Sequence, residues 1–140
     1  MKIKLGRFPS FESGKERKIE IKIDPWDTWN MDHTLSLIIH PMLIQLKETK
    51  HGTPFVDDED VPEDIRSTAA PEKINEWDID DNFDARWTWV LDEMISTFGE
   101  ISNSCWESKS VFDIEKYNSY CARIDNGLRL FGKYFRALWD

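Results

Sequence analysis

The order of apolar and polar residues changes period several times along the chain. Residues 1–8 (MKIKLGRF) and 17–24 (RKIEIKID) alternate, the pattern of strands with one face against apolar surroundings. In the second stretch Ile19, Ile21 and Ile23 share one side, and Lys18, Glu20 and Lys22 the other. Pro9, Ser10, Ser13 and Gly14 between the two have turn chemistry, so residues 1–24 are predicted to form a β-hairpin. Residues 29–51 switch to the helical period, with Leu35, Ile38, Ile39, Met42, Leu43 and Leu46 on one stripe. Thr28, Asn30 and Asp32 are its N-cap candidates, and Gly52, with Pro54 beyond, is its expected stop. Pro41 removes one backbone hydrogen bond and predicts a kink near Leu37. Leu37 and Ile44 lie opposite the stripe, and a helix apolar on two sides is expected to be the central one.

Two more helical stretches follow. Phe83, Trp87, Val90, Leu91, Met94, Ile95 and Phe98 give a clean stripe over 83–100, ending in a Ser102–Asn103–Ser104 loop. Tyr117, Cys121, Ile124, Leu128, Phe131, Phe135 and Leu138 follow a near-heptad repeat over 113–138, a helix opening at Asp113. Gly127 and Gly132 each cost such a helix roughly 1 kcal/mol relative to Ala, which points to close approach of a neighbour. Residues 52–82 have little periodicity and contain Pro54, Pro62 and Pro71; VPEDIR (61–66) is expected to make one helical turn started by Pro62. The fold class is therefore α+β, mainly α, in one domain of 140 residues: a three-helix core, an N-terminal β-hairpin and a long acidic loop between helices 1 and 2.

Charge sharpens this picture. The net charge is −9, yet residues 57–84 hold twelve Asp and Glu against Arg66 and Lys73 alone, a local −10 that leaves the remainder at +1. The chain is a nearly neutral fold wearing one acidic belt. Seven Trp, eight Phe and three Tyr are many for this length, and aromatics serve both burial and ring stacking. Cys105 and Cys121 match no metal or redox spacing, and Cys121 sits on an apolar stripe as an inert buried thiol. No apolar run is long enough for a signal peptide or a membrane span, so a cytosolic protein is expected.

Few residues carry recognisable chemistry. There is no P-loop, no dinucleotide fingerprint, no nucleophile elbow and no zinc-finger spacing. His33 and His40 stand roughly 10 Å apart along a helix, too far to share one metal ion without a bend such as the nearby Pro41 kink, and are read either as hydrogen-bonded core residues or as contacts to a polar ligand. His51 and Lys50 sit at the expected helix C-terminus, where a cation meets the helix dipole favourably. Asp57, Asp58, Glu59 and Asp60 have the oxygen ligands of a hard cation but neither the spacing nor the glycine of an EF-hand. Arg86 and Glu93, seven residues apart, are either an ion pair at a helix rim or a grip on an anionic group. Arg129, Lys133 and Arg136 form a basic stripe that either holds the acidic belt within the chain or receives phosphates, and is too small for duplex nucleic acid.

Five blocks, DPWDTWNMDHTL (24–35), LKETKHGTP (46–54), DDEDVP (57–62), RWTWVLDEMI (86–95) and NGLRLFGKYFRALW (126–139), resemble a family of small hypothetical proteins of tailed bacteriophages. The resemblance spans most of the chain after residue 20 and implies a phage origin and expression in the cytoplasm of an infected bacterium. It implies no activity. The leading expectation is an accessory protein, without cofactor or metal, that binds a small anionic ligand, in its most specific form a sponge for a nucleotide-derived immune signal. Arg86, Arg129 and Lys133 would pair phosphates, Trp29 would stack a base and His33 would hydrogen-bond it, with Asp32, His40, Lys50, His51 and Glu93 as further contacts. The alternatives are a module that inhibits a host enzyme through the acidic loop, and a small metal-dependent hydrolase using Asp32, His33 and Glu93. A site is expected where the belt, His33 and the Arg129–Lys133 face meet, and a homo-oligomer is allowed.

Overall fold

The computed structural model describes residues 1–9, 13–75, 77–103 and 114–139. Strands β1 (Lys2–Leu5) and β2 (Ile19–Lys22) pair antiparallel, with Ile3 opposite Ile21 and Leu5 opposite Ile19. That register sets the four apolar side chains on one face and Lys2, Lys4, Glu20 and Lys22 on the other. The alternation is as expected, but the burial is not: all eight strand residues are exposed. Gly14, in the connection, has φ +58°, a left-handed conformation that glycine adopts without penalty. The ribbon is tied down at its ends. The Met1 amino group lies 2.9 Å from Asp27 Oδ2, and Arg17 Nε donates to the Gly6 carbonyl at 2.6 Å while its guanidinium covers the Phe8 ring.

A 3-10 turn at Pro25–Thr28 leads into α1 (Met31–Thr49), which is shorter than the expected 29–51 and runs unbroken through the exposed Pro41. Asn30 is the N-cap and Lys50 the C-cap. Gly52 is not the left-handed stop predicted for it. Its missing side chain makes room for Trp139, since a Cβ there would lie 2.9 Å from the indole ring.

The central helix is α2 (Phe83–Asn103), not α1. It runs through the Ser102–Asn103 segment expected to be a loop; Ser104 lies outside the described residues. Trp87, Val90, Leu91 and Met94 are at most 1% exposed, whereas α1 buries only Ser36 and Leu43 and leaves Leu37 55% exposed. Small residues explain the difference. On α2, Gly99 admits the His40 ring of α1, where a Cβ would come within 3.0 Å of Nε2, and Thr97 meets Gly127 of α3. Both neighbours can therefore approach α2 closely.

Helix α3 (Ile114–Tyr134) continues into a 3-10 turn at Phe135–Ala137; its expected opening at Asp113 lies outside the described residues. Its buried positions are Gly127, Leu130 and Tyr134, while Leu128 and Phe135 of the predicted stripe are 42% and 61% exposed. The contact at Gly127 sets this rotation, because a Cβ there would fall 1.9 Å from Thr97 Oγ1. Gly132 meets nothing within 4 Å, so close approach explains one glycine and not the other.

The connection between α1 and α2 is no loose loop. It forms 3-10 turns at Asp58–Asp60, Glu63–Ile65 and Ser67–Ala69, the second directly after Pro62 as the sequence predicts. Val56 and Val61, 1% and 4% exposed, join the core from either end of the first turn. Each such valine contributes about 2 kcal/mol by burial. Among the described residues no helix is long and apolar enough to cross a membrane.

The two glycines of α3 are expected to respond with opposite signs. Gly127→Ala overpacks the α2–α3 contact and should destabilise by about 1–3 kcal/mol. Gly132→Ala enters open space and should stabilise by up to about 1 kcal/mol. Urea unfolding followed by circular dichroism measures both; equal effects would contradict the packing described.

Candidate functional site

The acidic belt is organised around Asp60, whose side chain is 2% exposed. Its Oδ1 accepts from Arg129 Nη1 at 2.7 Å, and its Oδ2 accepts from the Tyr134 hydroxyl at 2.6 Å and lies 2.5 Å from Lys133 Nζ. The Tyr134 oxygen in turn accepts the Asp57 N–H at 3.1 Å, and Lys133 also reaches Asp57 Oδ2 at 2.7 Å. One turn of belt is thus tied to the last two turns of α3 through both side chain and backbone.

Arg86 provides a second anchor. Projecting from α2 and 1% exposed, it forks onto Asp80, Nη1 to Oδ1 at 2.7 Å and Nη2 to Oδ2 at 2.8 Å, and Nη1 also donates to the Ile65 carbonyl at 3.4 Å. Its Nε has no hydrogen-bond partner and faces Asp58 Oδ1 at 3.8 Å. Asp58 accepts both the N–H and the hydroxyl of Ser67. At the end of the belt, Asp84 Oδ1 takes Lys50 Nζ at 2.5 Å and the Thr53 hydroxyl at 2.7 Å.

These contacts fix the charge states. Burial alone would raise the Asp60 carboxyl, but hydrogen bonds from Lys133, Tyr134 and Arg129 outweigh it and hold it below the ordinary carboxylate value. Hydrogen bonds from Arg86 lower Asp80, those from Ser67 lower Asp58, and those from Lys50 and Thr53 lower Asp84. Tyr134 is pushed up to about 12 by burial and by its bond to Asp60. Lys133 rises through its bonds to Asp57 and Asp60.

Of the cations expected to receive phosphates, Arg86, Arg129 and Lys133 are therefore engaged inside the chain, while Arg136 is exposed. Of the two readings left open for Arg129 and Lys133, the geometry has them holding the belt. Arg86 pairs with Asp80, and Glu93, two helical turns further along α2, is not its partner. The other predicted residues lie elsewhere. His33 Nε2 is 3.0 Å from the Ser102 carbonyl at the far end of the α1–α2 pair, and His40 packs at Gly99. From His33 to Lys50 is about 25 Å along the axis of α1, so His33 does not meet the belt. Trp29 is 74% exposed and stands edge-on to Trp26 at 4.4 Å, Asp32 is exposed at the start of α1, and His51 is exposed beside Lys50. Among the described residues no group of three or more His, Cys, Asp or Glu is placed to hold a metal ion.

The outer layer of the belt differs from the inner one. The Glu59 and Glu63 side chains are 81% and 90% exposed, held only by long contacts to Lys133 at 3.5 Å and Arg66 at 3.9 Å, and Asp64, Glu72, Asp78 and Asp81 also face solvent. Among them stand Phe55, Ile74, Trp77 and Ile79, 70% to 94% exposed. A cavity of about 360 Å³ opens beneath Phe55 and Ile79, bounded by Phe83, Lys73, Asp58 and Arg86. Sequence reasoning missed Asp80 and Tyr134 as anchors, although the valines flanking the DDED run were a signal that the run is pinned to the core.

No family model, curated protein or solved structure matches the chain. Within a mainly α domain with an N-terminal hairpin, the two-layered belt is the feature with the most distinctive chemistry.

Asp60→Ala should cost about 3 kcal/mol, the low end for breaking a buried pair, because Arg129 and Lys133 are partly exposed. The pH dependence follows from the signs. The lowered carboxylates contribute stability that is present above about pH 4, their unfolded value, and is lost as pH falls through their folded values. Raised Tyr134 contributes fully below about pH 10 and loses its contribution as pH climbs toward 12. Thermal melts across pH should fall at both limits, with a shallower acid limb in Asp60→Asn; identical acid limbs would remove Asp60 from this account.

Proposed function

We propose that this protein is a non-enzymatic interaction module that presents the outer layer of its acidic belt to a basic surface on a partner protein. The observation that carries this reading is the division of the belt into two layers. Inner carboxylates are neutralised by Arg86, Arg129, Lys133 and Lys50; the outer ones are exposed beside Phe55, Ile74, Trp77 and Ile79, with Glu59 and Glu63 meeting Lys133 and Arg66 only at 3.5 and 3.9 Å. Exposed apolar side chains rimmed by charge are characteristic of protein-binding surfaces. A surface ordered before contact loses little entropy on binding, and a field of one sign speeds encounter with a basic partner. The resemblance to phage proteins makes a host protein the natural partner, with inhibition or redirection of that protein as the consequence.

A second reading, capture of a small anionic ligand, has one observation in its favour. The unpartnered Arg86 Nε belongs to a residue bounding the cavity under Phe55, with Lys73 also at its wall. Against it, Asp57, Asp58 and Asp80 line the same space. Calorimetric titration with cyclic nucleotides and ADP-ribose derivatives tests it, and absence of heat from folded protein ends it.

For the leading reading the outer residues are the ones to change, because residues 57, 58 and 60 hold the fold. The triple variant Glu63→Lys, Asp64→Lys, Asp81→Lys should stay folded and lose bacterial protein partners by about tenfold or more in pull-down, as should the unmodified protein in high salt. Partners retained equally by both proteins would overturn it.

A further inference from the structure

Strand β2 has an open edge. The Gly6 N–H donates to the Lys18 carbonyl at 2.9 Å, so residue 18 points its backbone groups at β1. That direction alternates along a strand, so Glu20 and Lys22 also face β1, while Ile19, Ile21 and Ile23 turn their N–H and C=O groups outward. Among the described residues no strand pairs with that edge. Its isoleucines are also the barest of the ribbon: Ile19, Ile21 and Ile23 are 63%, 57% and 51% exposed, against 39% and 49% for Ile3 and Leu5 on β1. Lys22 stands opposite Lys2, a like-charge pair that a nearby carboxylate would relieve. A two-stranded ribbon is only marginally stable by itself, and further strands stabilise it.

We propose that β2 of a second copy of this chain pairs antiparallel with this edge across a twofold axis at Ile21, joining two two-stranded sheets into one of four strands. In this register Ile21 exchanges both backbone hydrogen bonds with Ile21 of the second copy, and Ile19 does so with its Ile23. Each face of the ribbon is matched separately. On the aliphatic face isoleucine meets isoleucine throughout. On the other face Glu20 meets Lys22, and Lys18 meets Asp24, whose backbone at φ −96° and ψ 153° prolongs the strand. These polar pairs fall at the positions without backbone bonds, where antiparallel side chains stand closest. Lys2 already takes Glu20 Oε1 at 3.1 Å across the hairpin, with both side chains more than half exposed, which leaves Oε2 for Lys22 of the second copy.

Neighbouring registers are disfavoured. Centring on Glu20 sets Glu20 on Glu20 and Lys18 on Lys22, and centring on Lys22 sets Lys22 on Lys22 and Glu20 on Asp24. Centring on Ile19 puts Ile21 against Arg17, and centring on Ile23 puts it against Pro25, which has no N–H to donate. The β1 edge carries Lys2 and Lys4 and no carboxylate, a common guard against self-pairing. The belt takes no part in this contact. The dimer therefore goes beyond the reading of the belt, stands or falls apart from it, and sets two belts on one assembly.

Sedimentation equilibrium of the full chain at physiological salt tests this, since a Debye length of about 8 Å confines charge effects largely to the contact. The unmodified protein should dimerise as its concentration rises. Lys22→Glu sets Glu20 of the second copy against an acid, and Glu20→Lys sets Lys22 against a base, so either variant alone should have a dissociation constant at least about tenfold higher. An equal mixture of the two should recover the dimer, because one chain then presents acids at positions 20 and 22 and the other presents bases. Ile21→Pro removes the N–H at the axis, which the hairpin itself does not use, and should abolish the dimer while keeping the circular dichroism spectrum. A monomeric unmodified protein at millimolar concentration, a mixture no tighter than its components, or a dimer that survives Ile21→Pro would each overturn the proposal. Should Ile21→Pro disturb the hairpin, the charge mixture decides alone. The belt variant Glu63→Lys, Asp64→Lys, Asp81→Lys should dimerise like the unmodified protein. If no dimer forms while that variant still loses its bacterial partners, the dimer is wrong and the interaction module stands. If the dimer holds and partner capture ignores the belt, the reverse is true.

Discussion

The arrangement of the molecule depends on one buried carboxylate. Asp60 is removed from water, which by itself penalises its charge, and is kept ionised by three donors converging from the end of α3. Those donors are in position only because α3 has the right rotation and height on α2. Gly127 against Thr97 sets the rotation, Leu130 seats one turn later, and Tyr134 then lies beside Trp87 with ring centroids 6.0 Å apart and its hydroxyl toward the belt. A helix packing contact without any charge thus determines where the charges meet.

That coupling explains how a segment of net −10 can lie on a compact domain without repelling itself away from it. The repulsion is met locally: Asp57 and Asp60 by Lys133 and Arg129, Asp80 by Arg86, Asp84 by Lys50. Val56 and Val61 add burial on either side of the first turn. The carboxylates that point outward are held more loosely, Glu59 at 3.5 Å from Lys133 and Glu63 at 3.9 Å from Arg66, or not by a cation at all. The buried Arg86 also shows the limit of this solution. Its fork is filled by Asp80, while Nε is left facing Asp58 at a distance too long for a hydrogen bond.

Much of the fold was legible in the sequence, and the errors have identifiable physical origins. Three helices and a hairpin follow from period alone, since period reports which side chains share a face. Which helix is central does not follow from period. The two-faced pattern of α1 pointed to the wrong helix, because Leu37 faces solvent and the approach of neighbours is governed by Gly99 and Thr97 on α2. The face of α3 was misread for a related reason: Gly127 and Tyr134 do not count as apolar in a stripe, yet one admits the neighbouring helix and the other carries the hydroxyl that holds Asp60. For the candidate site, the sequence offered two partners for the α3 cations, phosphate or the belt, and no local pattern could choose between them. The choice depends on a contact between residues 60 and 129 that only the tertiary fold creates.

The same contacts weigh differently on an anion-binding site, an acid–base site and a docking surface. An anion-binding site needs cations whose donors are free, and the basic stripe of α3 has given Arg129 and Lys133 to Asp60 and Asp57. An acid–base or metal site needs several titratable groups within reach of one another and unsaturated, whereas the belt's inner carboxylates are occupied by fixed donors and His33 stands at the opposite end of α1. A docking surface requires neither. It requires a rigid frame, a field of one sign and some apolar area left dry on contact, and the belt supplies each through residues the frame does not itself consume.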